Sequence, residues 1–349
     1  MLGHPTEAPA AGARVYDEDA MFRKPIAPPV VAALCVAFCA ILPAAEGTRT
    51  TRADVDRWMK ELSNWGRWGK DDQKGTLNLI TPAVRQRAAA LVRAGISVSL
   101  ARTDSTEAAP DNKPAFGHVM LITGANPSAQ FAMDRYTEEY HGSGITHLDA
   151  LCHMIGGATL FNGFPRESVT AAGAAKLDVL NFKDGIFTRG VLMDIPRLKG
   201  VPFLEPGQPI YPEDLDAWVK KAGIKIEPGD VVLIRTGRWA RRAKLGPWDI
   251  GAKAAGLHAS CARWLHARDA AVLGSDFAAD LMPSGVDGVA MPIHQLALGA
   301  MGMPLLDNCD LEALSETAMR LGRWEFLIVA APEPVPGGTG SPINPVGIF

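Results

Sequence analysis

The chain has 349 residues, 47% of them hydrophobic and 21% charged, which is enough to bury a sizeable core and too apolar for a disordered protein. Its formal net charge of -3 gives no general attraction to nucleic acid or to an anionic membrane surface. The expected partner is a small-molecule substrate.

Arg23 and Lys24 precede an apolar run from Val30 to Leu42 that ends in Pro43-Ala44-Ala45, the charged, apolar and small-residue order of a secretory signal peptide. The run is shorter than a bilayer-spanning helix needs. A leader over residues 1–45 is therefore expected, with a periplasmic or secreted mature protein that has no membrane contact after signal removal; cytoplasmic residence is the alternative. Cys35 and Cys39 lie inside the leader and leave Cys152, Cys261 and Cys309. That odd set has no C-x-x-C spacing and offers no disulfide framework, so the three read as buried small hydrophobes.

Residues 52–63 read as a short amphipathic helix, followed by the glycine-punctuated aromatic loop Asn64-Trp65-Gly66-Arg67-Trp68-Gly69. Strand candidates rich in branched residues recur at 97–101, 118–123, 190–195, 230–236, 270–275 and 326–331. A helix is expected from Pro212, with Glu213 and Asp214 at its positive end, an apolar stripe of Leu215, Trp218, Val219 and Ala222, and Gly223 to stop it. Asp310 reads as the cap of another helix over Leu311 to Leu321. Mixed strands and helices without strict alternation predict an α/β fold, with one compact domain over residues 46–331. Residues 332–349 are rich in Pro and Gly and are expected to form an irregular arm on the same or a neighbouring subunit of a homo-oligomer. Within that arm, Gly337-Gly338-Thr339-Gly340-Ser341 lacks the Lys and the following helix of a phosphate loop.

The chemically specific stretch is Thr146-His147-Leu148-Asp149-Ala150-Leu151-Cys152-His153. His147 and Asp149 leave one face of an extended strand, and His153 converges on the same point if the chain turns there. Two imidazoles and a carboxylate around one point make a divalent-metal site. Such a site needs more ligands. His141 opens a glycine loop six residues earlier, and could fold back to the metal or bind substrate. His294 follows a proline, and Asp307 interrupts an apolar run where an ionised carboxylate needs a partner. His118, inside an apolar strand candidate, reads as a core histidine.

The stretch from Gly144 to His153 resembles the H-x-G-T-H-x-D-x-P-x-H signature of the cyclase family of metal-dependent hydrolases, which includes bacterial kynurenine formamidases and isatin hydrolases. The resemblance extends over most of the chain beyond the leader, through Gly229-Asp230-Val231-Val232-Leu233-Ile234-Arg235-Thr236-Gly237 and Leu273-Gly274-Ser275-Asp276. A longer bacterial branch is matched by the Asn64 to Gly69 opening and the Pro336 to Pro342 ending. It implies a single cyclase-like, swivelling β/β/α domain with a mixed sheet and surrounding helices. It also implies His147 and Asp149 as ligands of Zn or Mn, in a centre of one or two ions, and His153 as a ligand of a second ion or as general acid/base. His294 falls beside the metal, also in a catalytic position, and Asp307 falls where relatives carry a ligating Glu.

This chain departs from the signature at two places: the first His falls on Ser143 and the Pro on Leu151. Either His141 replaces the missing imidazole through a different loop path, or the metal has one imidazole fewer. A two-residue shift on an extended chain moves a side chain by about 6–7 Å, which favours a loop or substrate role for His141.

The implied activity is arylformamidase-like: hydrolysis of an amide, lactam or ester bond in a small cyclic or aryl substrate by metal-activated water, as in the kynurenine formamidases of tryptophan catabolism. The rival reading is a non-hydrolytic metal or small-molecule binding protein on the same fold. Trp65, Trp68, Phe161 and Phe164 are candidate substrate contacts that compete with plain core packing. Arg235 opens a basic run through Arg238, Arg241, Arg242 and Lys244, which is either a solvated surface or a source of a carboxylate clamp. With no G-x-S-x-G elbow, a nucleophilic serine hydrolase is disfavoured.

Overall fold

One mixed sheet carries the architecture. In the computed structural model, which describes residues 50–349, its strands are β1 (Ser97–Ser99), β2 (His147–Asp149), β3 (Ile186–Asp194), β4 (Val231–Arg235), β5 (Val272–Ser275), β6 (Leu305–Asp307), β7 (Glu325–Ala330), β8 (Gly340–Pro342) and β9 (Val346–Ile348). Their spatial order is β1-β9-β7-β3-β4-β5-β6-β2-β8. The four central strands β3 to β6 run parallel, and every other pairing is antiparallel. Parallel strands are covered on both faces and so read as continuous apolar runs. Val231, Val232, Leu233, Val272 and Leu273 are completely buried accordingly. The leader expected over residues 1–45 lies outside the described residues.

Local chemistry explains the helices that cover this sheet. Arg52–Glu61 starts at a reciprocal Thr51 and Asp54 capping box and buries Val55 and Trp58. Pro212–Ala222 has its proline in the first turn and ends at Gly223 with φ 66°, a left-handed angle that glycine adopts at no steric cost. Trp218 of this helix donates its indole N–H to the Leu192 carbonyl at 2.8 Å. The helix expected from Leu311 begins one residue later, at Glu312, so the cap position falls on Leu311 and not on Asp310, which accepts from the Glu312 N–H at 3.3 Å from one position further out.

Two expectations fail. The strand expected at 118–123 forms as Gly117–Ile122, yet it pairs only with Met133–Thr137 in a separate hairpin with exposed faces. His118 is therefore no core histidine; it lies on that hairpin, 3.0 Å from Asp134. The apolar run Val119 to Ile122 has the composition of a buried strand, and only its tertiary placement distinguishes it. The arm 332–349 is also not irregular, since it supplies β8 and β9 to the sheet. Pro342 is accommodated because β8 is an edge strand, where one row of backbone groups needs no partner strand.

Candidate metal centre

The site grows from β2. Strand alternation sends His147 and Asp149 to one face and Leu148 to the other, and all three are buried. Antiparallel pairing with β6 puts Asp307 directly opposite His147. After Asp149 the chain turns, with the His153 N–H on the Ala150 carbonyl at 3.0 Å, and this brings His153 Nε2 to 3.9 Å from Asp149 Oδ2. His294 ends a short helical turn, Pro292–His294, that leads into a π-helix over Gln295–Met301, a geometry frequent at functional sites. Its Nε2 lies 3.6 Å from Asp149 Oδ2 and 3.3 Å from Asp307 Oδ2.

His141, not Ser143, reaches the cluster: its Nδ1 is 3.0 Å from Asp149 Oδ1. The chain between His141 and His147 is not extended, so the distance argument against His141 does not apply. The Asn308 amide N–H groups donate to the Gly142 and Ile145 carbonyls, and Arg238 donates to the Ser143 carbonyl at 2.5 Å. These bonds fold the loop tightly and turn Ser143 to a backbone role. Arg238 itself is completely buried, and burial pushes its guanidinium down to about 9.

Two sets of ligand atoms result, His141/His147/Asp149 and Asp149/His294/Asp307, with the atoms of each set within 4.8 Å of one another. Asp149 belongs to both. Neither of its oxygens accepts a hydrogen bond, nor does Asp307 Oδ1, although all three are buried. Buried carboxylate oxygens without hydrogen bonds are costly unless something cationic satisfies them. Nitrogen and oxygen donors around such oxygens fit a divalent cation.

The electrostatics follow from the same geometry. Burial opposes ionisation of Asp149, yet His153, His141 and His147 hold its carboxyl well below the usual range. Burial also opposes charge on His294, but Asp307 and Asp280 lift it well above its ordinary value. His153 moves the other way, lowered by burial and by the imidazoles around it against the pull of Asp149.

Asp280 was not singled out in the sequence, and it is a central supporting residue. Fully buried, it accepts from the Ile293 N–H at 2.7 Å, the His294 N–H at 3.2 Å and His294 Nδ1 at 2.7 Å. A proton on Nδ1 leaves the Nε2 lone pair facing the carboxylates. The signal was available: Asp280 interrupts the apolar run Phe277-Ala278-Ala279 just as Asp307 interrupts its own.

The other candidates separate clearly. Arg235 is no free clamp; its guanidinium is spent on Asp194 at 2.9 Å and Glu312 at 2.6 Å. The basic run is only partly a solvated surface: Lys244 is exposed, but Arg238 is buried and Arg242 pairs with the buried Asp111 at 2.7 Å. Phe161 is core, 1% exposed. Phe164 is partly buried beneath Lys176, and Trp68 packs partly buried under Arg67. Trp65 lines a cavity of about 610 Å³ together with Met59, Lys60, Met154 and Gln295; the last two directly follow His153 and His294 in the chain. Cys152, Cys261 and Cys309 are free and buried, and burial pushes the Cys152 thiol up to about 12, which makes it a poor nucleophile.

Against known proteins, the family model Cyclase, described as "Putative cyclase", matches residues 96–279. A crystal structure of a novel cyclase is 34% identical, with 83% of this chain and 99% of that chain covered at a TM-score of 0.77. An isatin hydrolase bound to the product analogue thioisatinate is 18% identical, covering 75% of this chain and 94% of its own at a TM-score of 0.53. Isatin hydrolase A from Labrenzia aggregata, bound to benzyl benzoate, is 20% identical, covering 76% and 96% at a TM-score of 0.53. At those two identities the likeness is one of fold. No curated protein matches the chain.

Proposed function

The chain belongs to the cyclase family, and from that premise we propose that it is a metal-dependent hydrolase of an amide, lactam or ester bond in a small cyclic or aryl substrate. The observation that carries this reading is Asp149, a buried carboxylate without hydrogen bonds, shared by two sets of ligand atoms. The fold likeness to isatin hydrolases, one of them bound to a product analogue, supports a cyclic aryl amide as the substrate class.

His141, His147 and Asp149 would hold one cation, and Asp149, His294 and Asp307 a second or an alternative position. A divalent cation there supplies Lewis acidity, polarising a carbonyl oxygen and making water a stronger acid. His294 is fixed by Asp280, so its Nδ1 proton is engaged and only Nε2 faces the site. His153 is the proton carrier: its side chain is 27% exposed, and burial with the neighbouring imidazoles lowers its pKa against the pull of Asp149, which favours the neutral form. Its Nε2 can accept a proton from attacking water and return it to the leaving nitrogen or oxygen. Trp65, Met59 and Met154 give the neighbouring cavity an apolar and aromatic wall suited to an aryl group.

The test is turnover of N-formyl-kynurenine, isatin and simple aryl lactones by protein reconstituted with Zn²⁺ or Mn²⁺. Metal-dependent hydrolysis of at least one is expected. Stoichiometric metal with no turnover across the panel would instead favour a binding protein.

A further inference from the structure

The glycine-rich stretch of the C-terminal arm, Gly337 to Ser341, reaches the metal centre. Thr339 Oγ1 lies 2.9 Å from His141 Nε2, while Nδ1 of the same ring lies 3.0 Å from Asp149 Oδ1. A neutral imidazole carries one proton. With Nε2–H donating to the threonine hydroxyl, the Nδ1 lone pair faces the ligand cluster.

The arm is held in register for this contact. β8 pairs with β2, so Gly340 stands opposite Asp149, and the Ala150 N–H donates to the Thr339 carbonyl at 3.0 Å. A Cβ at Gly340 would run into the Leu148 carbonyl and His141 Cε1, so only glycine lets the arm come this close. The Tyr140 hydroxyl donates to the Gly340 carbonyl at 3.0 Å. On its other side the His141 ring stacks on His153, with centroids 3.9 Å apart and planes 12° from parallel. The arm lies beyond residues 96–279, the stretch matched by the family model.

We propose that Thr339 is a positioning residue that fixes the tautomer and orientation of His141, so that the C-terminal arm completes the ligand set that Ser143 leaves one imidazole short. This rests on the metal-centre reading above. The ordinary consequence of losing such a supporting hydrogen bond is a 10–100-fold weaker metal site.

The test compares wild-type protein with Thr339→Val, Thr339→Ser and His141→Ala, each stripped of metal and titrated calorimetrically with Zn²⁺. Absorption spectra of the Co²⁺ forms and melting curves of the stripped forms are recorded alongside. Thr339→Val should bind Zn²⁺ about 10–100-fold more weakly and show an altered Co²⁺ spectrum, with an unchanged melting temperature. Thr339→Ser, which keeps the hydroxyl, should match wild type, and His141→Ala should be weaker than either. The proposal is overturned if Thr339→Val binds as wild type does, if the Ser and Val variants weaken equally, or if His141→Ala leaves affinity unchanged. Wild-type protein that binds no Zn²⁺ would sink the metal-centre reading and this proposal together, an outcome distinct from those three.

Discussion

Replacing Asp280 tests whether its carboxylate holds His294 in place. The side chain is fully buried and accepts from the Ile293 N–H, the His294 N–H and His294 Nδ1. Asp280→Ala would leave all three donors buried without an acceptor. At about 1–3 kcal/mol each, the loss of roughly 3–9 kcal/mol is comparable to the whole stability of a domain, about 5–15 kcal/mol. That variant should fold poorly. Asp280→Asn is the informative one. Its amide oxygen can serve one side of the site, but its NH₂ must then oppose an N–H on the other, stranding one donor at about 1–3 kcal/mol. The neutral amide also removes a negative charge that raises the basicity of His294, and metal affinity should drop about 10–100-fold. Urea unfolding of the metal-stripped protein reads the first effect, and Zn²⁺ titration reads the second. If Asp280→Asn unfolds within about 0.5 kcal/mol of wild type, the scatter of an ordinary surface substitution, and binds Zn²⁺ as tightly, the positioning role assigned to Asp280 is wrong.

His153→Ala should keep bound metal and melting temperature while kcat falls by about 10²–10⁴-fold; a rate within a few-fold of wild type would move proton transfer to another group. The metal-free cluster should depend on pH in a defined direction. Against the opposing effect of burial, carboxylates raise His294 and His147 above their ordinary 6.5. Stability from a raised histidine is fully present below its unfolded value and is lost as pH rises through its folded value. The melting temperature contribution of these two should therefore decline above about pH 6.5, while Zn²⁺ affinity rises as the imidazoles give up their protons to the cation. Calorimetric titration that finds pH-independent affinity and no proton release would contradict this. Gly302→Ala should be destabilising. Residue 302 has φ 64°, costing a side chain about 1–2 kcal/mol, and the new Cβ would meet the Phe161 ring, adding about 1–3 kcal/mol of overpacking. A denaturation midpoint equal to wild type would show that the ring gives way.

What was legible in the sequence is what local chemistry dictates. Helix ends at Pro212 and Gly223 follow from backbone preferences, and His147 with Asp149 follows from strand alternation. Asp307 was readable because a carboxylate in an apolar run needs a partner. The same logic applies to Asp280, a buried carboxylate after the apolar run Phe277-Ala278-Ala279. The approach of His141 to the cluster is not visible in local spacing, because it depends on long-range bonds from Asn308 and Arg238, which fold the loop. The pairing of Arg235 is hidden for a similar reason: its partners, Asp194 and Glu312, are remote in sequence. The arm illustrates the limit of composition. Pro and Gly spoke against strands, yet β8 and β9 pair at positions that tolerate them, and Thr339 acquires its contact with His141 only through that pairing.

The central claim is that two sets of ligands converge on Asp149. Elemental analysis of wild-type and Asp149→Asn protein, each stripped, reloaded with Zn²⁺ and desalted, tests it most directly. An uncharged amide is a poorer ligand, and residue 149 belongs to both sets. Wild type should retain at least one ion per chain and the variant none, with both proteins folded by circular dichroism. Full metal stoichiometry in the Asp149→Asn protein would contradict the account.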